Sequence, residues 1–318
     1  MLSQRSRGFA AILATCVVWG LSPLYYHAIS ETPPLTILAH RTVWSLVFFV
    51  LILAVQRRLG RIVPAVTGPD RGRVVVAALL ISSNWFLFIW AISVGRVVES
   101  SLGYYIMPLF SVALGVVFLR ERLAWPQWLA VALACAAVVV LTAGLGVAPW
   151  VSLALAGTFA FYGLAKKRMS LGPFMSVAAE VTVLTPLALA WLVHAGPGPG
   201  FGHDPVRTAL LVGVGLITAV PLVTFAYGAR RVDLATTGIT MYLNPTLQFL
   251  CATLVLAEPF TRWHLAAFSM IWLALALYAA SLISAGRAQA RAAAAAGALV
   301  PNAGAAIRGG YASRGPHD

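Results

Sequence analysis

Charged side chains are scarce in this sequence, and acidic ones are the scarcest. Only 10% of the 318 residues are charged, and 9 acidic side chains stand against 22 Lys and Arg. A water-soluble domain carries about 25% charged residues, which solvate its surface. With 60% hydrophobic residues and a mean hydropathy of +0.88, this chain has to cover its outside with apolar side chains. The composition therefore excludes a soluble globular domain and predicts a protein that lies in lipid.

Cysteines and chemical motifs are also few. Cys16, Cys135 and Cys251 lie far apart within apolar runs, so they predict small core residues and neither a disulfide nor a metal site. The sequence has no catalytic triad, zinc spacing, phosphate loop or nucleotide fingerprint, which predicts no enzyme, no cofactor and no metal. The net charge of +13 includes no basic patch with interleaved aromatics outside the apolar runs. We therefore expect no nucleic acid as a partner.

Long apolar runs dominate what is present. About 20 residues are needed to span the hydrocarbon core, and the chain holds ten runs close to that length, separated by short turn segments. The sequence thus predicts an all-α polytopic membrane bundle of ten transmembrane helices. The runs cover residues 8–29, 35–55, 74–94, 97–119, 126–145, 149–165, 173–195, 207–229, 232–256 and 262–284.

The distribution of Lys and Arg predicts an orientation. If the N-terminus is cytoplasmic, 18 of the 22 basic side chains fall in the N-terminal arm, the even-numbered connections and the C-terminal tail. Cytoplasmic segments carry this excess because basic residues resist translocation. Both termini are therefore predicted to be cytoplasmic.

Two spacings indicate an internal repeat. Pro108 precedes Glu121 by 13 positions, and Pro245 precedes Glu258 by the same 13, with an offset of 137 for both pairs. A half with five spans has an odd number of crossings, so the two halves are predicted to be inverted, as in many secondary transporters. Both glutamates are predicted to cap the helix that follows them. The predicted units are an N-terminal arm (1–7), two five-helix repeats (8–145 and 149–284) and a disordered basic tail (285–318).

Ionisable groups inside a span are costly and therefore mark candidate functional sites. His40 and Arg41 are adjacent in the second run, and Glu180 lies in the seventh. A rise of 1.5 Å per residue places Arg41 about 9 Å below the outer boundary and Glu180 about 10 Å above the inner one. We favour two charges that line one cavity, each nearer one mouth. The alternative is that both side chains snorkel to the nearest headgroups.

Polar and aromatic residues near mid-span complete the candidate site. Asn244 and Gln248 are four residues apart and share a helix face, next to a proline that frees a backbone carbonyl. Interhelical hydrogen bonding is the simpler explanation for Asn84 and Gln248. The predicted substrate-binding residues are Trp19, His40, Arg41, Asn84, Trp85, Tyr104, Glu180, Tyr242 and Gln248, with Glu180 and His40 as proton-coupling candidates.

Five segments resemble the RarD group of EamA-domain transporters, which belongs to the drug/metabolite transporter superfamily. They are WGLSPLYY at 19–26, PLTILAHRTVWS at 34–45, NW at 84–85, GRVVESSLGYYI at 95–106 and PTLQF at 245–249. The resemblance covers roughly residues 8–284. It implies two inverted EamA halves in a bacterial inner membrane and efflux or exchange of a small metabolite. Chloramphenicol is suggested as a solute by the label that the group often carries.

The leading hypothesis is a carrier that works by alternating access on a small polar or amphipathic solute. Arg41 would receive an anionic or carbonyl group, and Glu180 could exchange a proton. A channel or lipid scramblase on the same fold is the first alternative and would show non-saturable flux. An integral membrane enzyme is the second, although Glu180 alone is too little for most chemistry. The expected partners are the solute and the lipid bilayer, and a homodimer is left open.

Overall fold

The structure is a computed structural model that describes residues 4–119, 123–146, 149–167, 169–229, 231 and 240–298. Within these ranges the chain is helical and contains no strand, as predicted. The helices are α1 (Gln4–Gly20), α2 (Ser22–Ala28), α3 (Pro34–Val55), α4 (Ile62–Thr67), α5 (Arg71–Ser93), α6 (Val97–Leu119), α7 (Trp125–Leu145), α8 (Trp150–Lys167), α9 (Pro173–Ala195), α10 (Pro205–Ala229), α11 (Leu243–Leu250) and α12 (Arg262–Ala298).

Seven helical segments in the described chain are long and apolar enough to cross a membrane. Large apolar side chains point outward from them, among them Leu51, Leu187 and Leu273, which are 55%, 66% and 53% exposed. A soluble protein would bury most of these groups, whereas lipid is an equally apolar neighbour. The prediction of an all-α multi-pass membrane protein is therefore confirmed.

Local sequence sets several helix ends. Proline occupies the first position of α3 and α9, where its missing N–H removes no helical hydrogen bond. Gly146 ends α7 with φ of 71°, a left-handed conformation that glycine adopts without a Cβ clash. The side-chain oxygen of Gln127 accepts the Ala124 N–H at 2.9 Å and so caps the start of α7.

Three details differ from the sequence prediction. The connection after α3 contains a 3-10 turn (Leu59–Arg61) and the short helix α4. Helix α12 continues to Ala298, so the prediction of disorder is wrong for residues 285–298. Alanine has the highest helix propensity, and the run of alanines in 292–296 extends the helix. Cys16 and Cys251 are buried as expected, but Cys135 is exposed on α7.

Part of the ninth predicted span, residues 232–239, lies outside the described residues. From residue 243 onward the span consists of α11 and a π-helical turn, Cys251–Val255. The C-terminal residues 299–318 and the predicted cap Glu121 are also outside the described chain.

Helix packing produces two large buried clusters and two small ones in the described chain. Helix α6 packs on α8, α7 on α12, and α3 on both α9 and α10. One large cluster surrounds Tyr105, Leu102 and Phe268, and the other large cluster surrounds Phe49 and Tyr162. Protein interiors are close-packed, so a cavity that adjoins both large clusters stands out from the rest of the interior.

Polar contacts join residues near the helix ends on each side of the bundle. On one side, which we call the arginine-rich face (Arg57, Arg58, Arg61, Arg71 and Arg73), Ser170 before α9 contacts Asp70 before α5. The other side, the opposite face, carries the Arg207–Glu31 ion pair at 2.5 Å.

Glu258 also lies on the opposite face. Its carboxylate accepts the N–H groups of Val97 and Val98, both at 2.7 Å, and so caps α6. The prediction that Glu258 caps the helix that follows it is therefore wrong, because α6 is a helix of the other predicted repeat. Burial raises the pKa of Glu258, and the two N–H donors oppose that rise.

Candidate functional site

A buried cavity lies in the centre of the bundle and touches both large clusters. It holds about 150 Å³ of free space. Its wall is built from nine helices, including α2 with Tyr26, which lies towards the opposite face, and α9 with Val177, one turn from the arginine-rich end. The lining residues are Trp19, Ser22, Tyr26, Arg41, Ile81, Trp85, Phe88, Tyr104, Met107, Phe159, Tyr162, Val177, Ile217, Thr218, Leu222, Met241, Asn244 and Gln248.

Arg41 is the one arginine in that wall, and it is 6% exposed. Its Nη1 donates to the Tyr26 hydroxyl at 2.7 Å, and the guanidinium carbon lies 4.1 Å from the centre of the Trp85 ring. None of the described carboxylates lies within 4.0 Å of it. The prediction that Arg41 faces a cavity is correct, and the alternative that it snorkels to headgroups is wrong.

Five aromatic rings form a continuous side of the cavity, which we call the aromatic wall: Tyr26, Phe88, Tyr104, Phe159 and Tyr162. Consecutive ring centres lie 5.8, 5.8, 6.4 and 5.7 Å apart in edge-to-face geometry. This geometry places the positive edge of one ring against the negative face of the next. One end of the wall contacts Arg41 through Tyr26, and the other end contacts Glu180 through Tyr162.

Glu180 lies behind the wall. One of its oxygens accepts from Lys166 at 2.5 Å, and the other accepts from the Tyr162 hydroxyl at 3.0 Å. Lys166 also donates to Ser176, and the Glu180 side chain is 1% exposed. Glu180 therefore neither lines the cavity beside Arg41 nor snorkels, so both predictions are wrong for it. A buried carboxylate close to a basic helix end forms an ion pair, since isolation in a low dielectric would cost more.

His40 faces away from the cavity, towards the loop that follows α9. Its Nδ1 accepts the Trp44 indole N–H at 3.2 Å, which leaves a proton on Nε2 to donate to the Pro197 carbonyl at 2.8 Å. The ring also packs on Phe201 with 4.7 Å between centres. These contacts hold a neutral imidazole in one tautomer.

The other predicted residues divide between the wall and the layer behind it. Trp19, Trp85, Tyr104 and Gln248 line the cavity as predicted. Asn84 lies behind Tyr104 and donates to the Leu155 carbonyl and the Thr158 hydroxyl, both at 2.9 Å. Tyr242 is also absent from the wall, and its carbonyl accepts the Thr246 hydroxyl at 2.7 Å within the helix. For Asn84 the simpler alternative, interhelical hydrogen bonding, describes its contacts.

Sequence reasoning missed Lys166 and Thr218. In the sequence, Lys166 is one of three consecutive basic residues at 166–168, which predicts a loop position, although it follows Tyr162 by four residues and so shares its helix face. The structure confirms that register, with the ammonium 5.0 Å from the centre of the Tyr162 ring. Thr218 carries no comparable signal, since a threonine inside a helix can bond a backbone carbonyl of its own helix. No cluster of three His, Cys, Asp or Glu that could hold a metal occurs in the described part of the chain.

Comparison with known proteins identifies the family. Residues 6–143 match the EamA-like transporter family, and residues 148–280 match it a second time. The protein RarD of Streptomyces exfoliatus is 44% identical over 82% of this chain and 84% of its own length. An uncharacterized transporter of Pseudomonas aeruginosa is 42% identical over 86% of this chain and 93% of its own length. A solved crystal structure with 18% identity has a TM-score of 0.58 and covers 86% of this chain and 97% of the other, which supports the fold. The chain belongs to the EamA-like transporter family.

Proposed function

We propose that this protein carries a small polar or amphipathic solute across a bacterial inner membrane by alternating access, from the central cavity. The two family matches support two repeats, at 8–145 and 149–284, and a five-span repeat would be inverted relative to its partner. The arginine-rich face would then be cytoplasmic, with both termini on that side.

One observation carries the proposal: an arginine, Arg41, is 6% exposed and lines a cavity inside the helix bundle. Arginine stays ionised, so its burial without a carboxylate partner is costly. A residue with this cost is a candidate for a functional role. Small-molecule sites combine apolar and aromatic walls with a few convergent polar groups, and this cavity has that composition.

Glu180 is the proposed proton-coupling residue, and His40 is not included because its ring is held as a neutral tautomer by the Pro197 loop. Protonation of Glu180 would remove the charge that holds Lys166 and would change the partner of the Tyr162 hydroxyl. Because Tyr162 belongs to the cavity wall, such a change would reach the solute site directly.

The test is solute flux in proteoliposomes that contain the purified full chain. Chloramphenicol and a metabolite panel are first screened by ligand-induced thermal shift, and positive solutes are then assayed for uptake. We expect saturable uptake that falls at least tenfold in Arg41→Ala, and uptake in Glu180→Gln that no longer responds to a pH gradient. The matched control is Arg96→Ala. Arg96 lies outside the cavity wall, and its side chain is 41% exposed.

Each result has a clear meaning. Uptake that rises linearly with solute concentration would indicate a channel or scramblase in place of a carrier. Saturable uptake that is unchanged in both Arg41→Ala and Glu180→Gln would overturn the site assignment.

A further inference from the structure

Three side-chain atoms of the cavity wall are buried without a hydrogen-bond partner: Arg41 Nε, Thr218 Oγ1 and Gln248 Oε1. Their residues are 6%, 1% and 2% exposed. A buried polar atom left without a partner costs about 1–3 kcal/mol, so native interiors rarely contain several together. In the described chain, Ser45 Oγ and Ser100 Oγ are the other two such atoms, so three of the five belong to residues that line one cavity, and an occupant of that cavity can supply partners to them.

Each atom restricts what the occupant offers. Arg41 can only donate and is always charged, and the Tyr26 hydroxyl that its Nη1 contacts is neutral. Gln248 uses its amide N–H to donate to Asn244 Oδ1 at 3.0 Å, which leaves its oxygen to accept a hydrogen bond from another group. The occupant therefore needs an acceptor, best satisfied by an anion, and a separate N–H or O–H donor. Thr218 can serve as either partner.

The remaining wall sets the size and character of the occupant. The aromatic wall runs along one side, and Trp85 covers the guanidinium. The free space is about 150 Å³. An apolar cavity of about that volume in another protein holds benzene. A body larger than one ring would require the wall to open.

We infer that the cavity binds a small organic acid anion, with one ring-sized apolar body, a carboxylate for Arg41 and a hydrogen-bond donor for Gln248. This inference rests on the proposed function, since it names the class of solute for the same site. It narrows the solute from any polar or amphipathic molecule to a monoanion. Neutral molecules of the same shape bind more weakly, because they leave the arginine charge uncompensated.

Equilibrium binding to the purified full chain tests the inference with four single-ring probes: 3-hydroxybenzoate, 4-hydroxybenzoate, benzoate, and benzamide as the neutral match for benzoate. Calorimetry reports binding. We expect the better hydroxybenzoate to bind most tightly, benzoate next, and benzamide at least about tenfold more weakly than benzoate, as for one charge-assisted hydrogen bond.

Variants at two wall positions, Arg41 and Gln248, separate the roles. Arg41→Gln should remove the preference for benzoate over benzamide, and Arg41→Lys should restore part of it. Gln248→Leu should remove the preference for hydroxybenzoate over benzoate and keep the preference for benzoate over benzamide. Arg96→Gln, with its side chain outside the cavity wall, should change neither preference.

The outcomes distinguish this inference from the proposed function. Saturable transport of a neutral solute, with benzamide bound as tightly as benzoate, would overturn the anion and keep the carrier. Anion-selective binding that depends on Arg41, without saturable flux, would overturn the carrier and keep the anion site. An equal loss of affinity for all probes in Arg41→Gln would show that the arginine only supports the wall, and would also overturn the inference.

Discussion

Two basic side chains lie at the two ends of the aromatic wall, the buried Arg41 and Lys166, which is 20% exposed, and they differ in what neutralises their charge. Lys166 donates to the Glu180 carboxylate at 2.5 Å and to Ser176, so its charge is neutralised within the protein. Arg41 has a neutral hydroxyl and a tryptophan face as its contacts, and no described carboxylate. The first arrangement is complete without a ligand, whereas the second has a place for one.

The difference shows how to separate structural charges from functional ones in a membrane protein. A buried ion pair mainly fixes the helices that carry it, and removal of one partner leaves a charge in a low dielectric. An uncompensated arginine destabilises the empty protein and gains its counter-charge when an anion binds. Stability measurements should therefore respond to the two ends in opposite ways.

The largest expected effect comes from breaking the ion pair. Glu180→Gln leaves Lys166, which is 20% exposed, without a counter-charge and should lower the free energy of unfolding by up to about 3 kcal/mol, the low end for a buried pair, measured by denaturant titration in mixed micelles. The double variant Lys166→Met with Glu180→Gln should recover most of the loss, because it removes both charges. Glu31→Gln breaks the exposed pair with Arg207 and should cost less than about 1 kcal/mol.

Arg41→Gln is the opposing measurement in the same titration. It removes a buried charge that has no described carboxylate partner, so the empty protein should be unchanged or more stable. A loss of several kcal/mol in this variant would mean that Arg41 is compensated as fully as Lys166. The contrast between the two ends would then be wrong.

A smaller effect should distinguish the packing at the two ends. A Cβ on Gly20 would lie 2.6 Å from the Leu247 Cβ and 3.2 Å from the Asn244 carbonyl oxygen, so α1 and α11 touch at this glycine. Gly20→Ala should cost about 1–3 kcal/mol through overpacking. Gly163, on the helix that carries Lys166, has open space at its Cβ position, and Gly163→Ala should be neutral or stabilising. Equal losses in both variants would contradict the close approach at Gly20.

Much of the fold was predictable because apolar length is a direct physical requirement of the bilayer. The start of α6 at Val97 and both ends of α9 agree with the predicted runs. Gly95 lies just before α6, Pro173 begins α9, and Gly196 follows its last residue. The extension of α12 to Ala298 was missed, because the charge pattern after residue 285 resembles a tail while alanine propensity favours a helix.

The site was predictable where composition alone isolates a residue. Arg41 stands out because a charge within an apolar run is costly. The partner of Glu180 was not predicted, because Lys166 is one of three consecutive basic residues at 166–168 that suggest a loop. The side to which its ammonium group points depends on the register of the helix. Depth arguments also placed Glu180 in the cavity, whereas its lateral position depends on how α8 and α9 pack. Helix-to-helix geometry of this kind is not encoded in hydropathy.

The smallest expected effect concerns a contact near the Lys166 end of the bundle, at the arginine-rich face. Asp70, 5% exposed, accepts the Ser170 N–H at 2.8 Å and its hydroxyl at 2.6 Å, and also pairs with Arg73. The Ser170 donors, together with Arg73, lower the pKa of Asp70 from 3.8 to about 2. The contact therefore stabilises the fold above the unfolded-state pKa, and this contribution is lost as the pH falls towards 2. Asp70→Asn should lower the thermal midpoint at pH 5, and the gap to the wild type should narrow by pH 3. Other carboxylates titrate in both proteins and cancel in the difference, so a gap that stays constant from pH 5 to pH 3 would show that the Asp70 charge does not hold the two helix starts together.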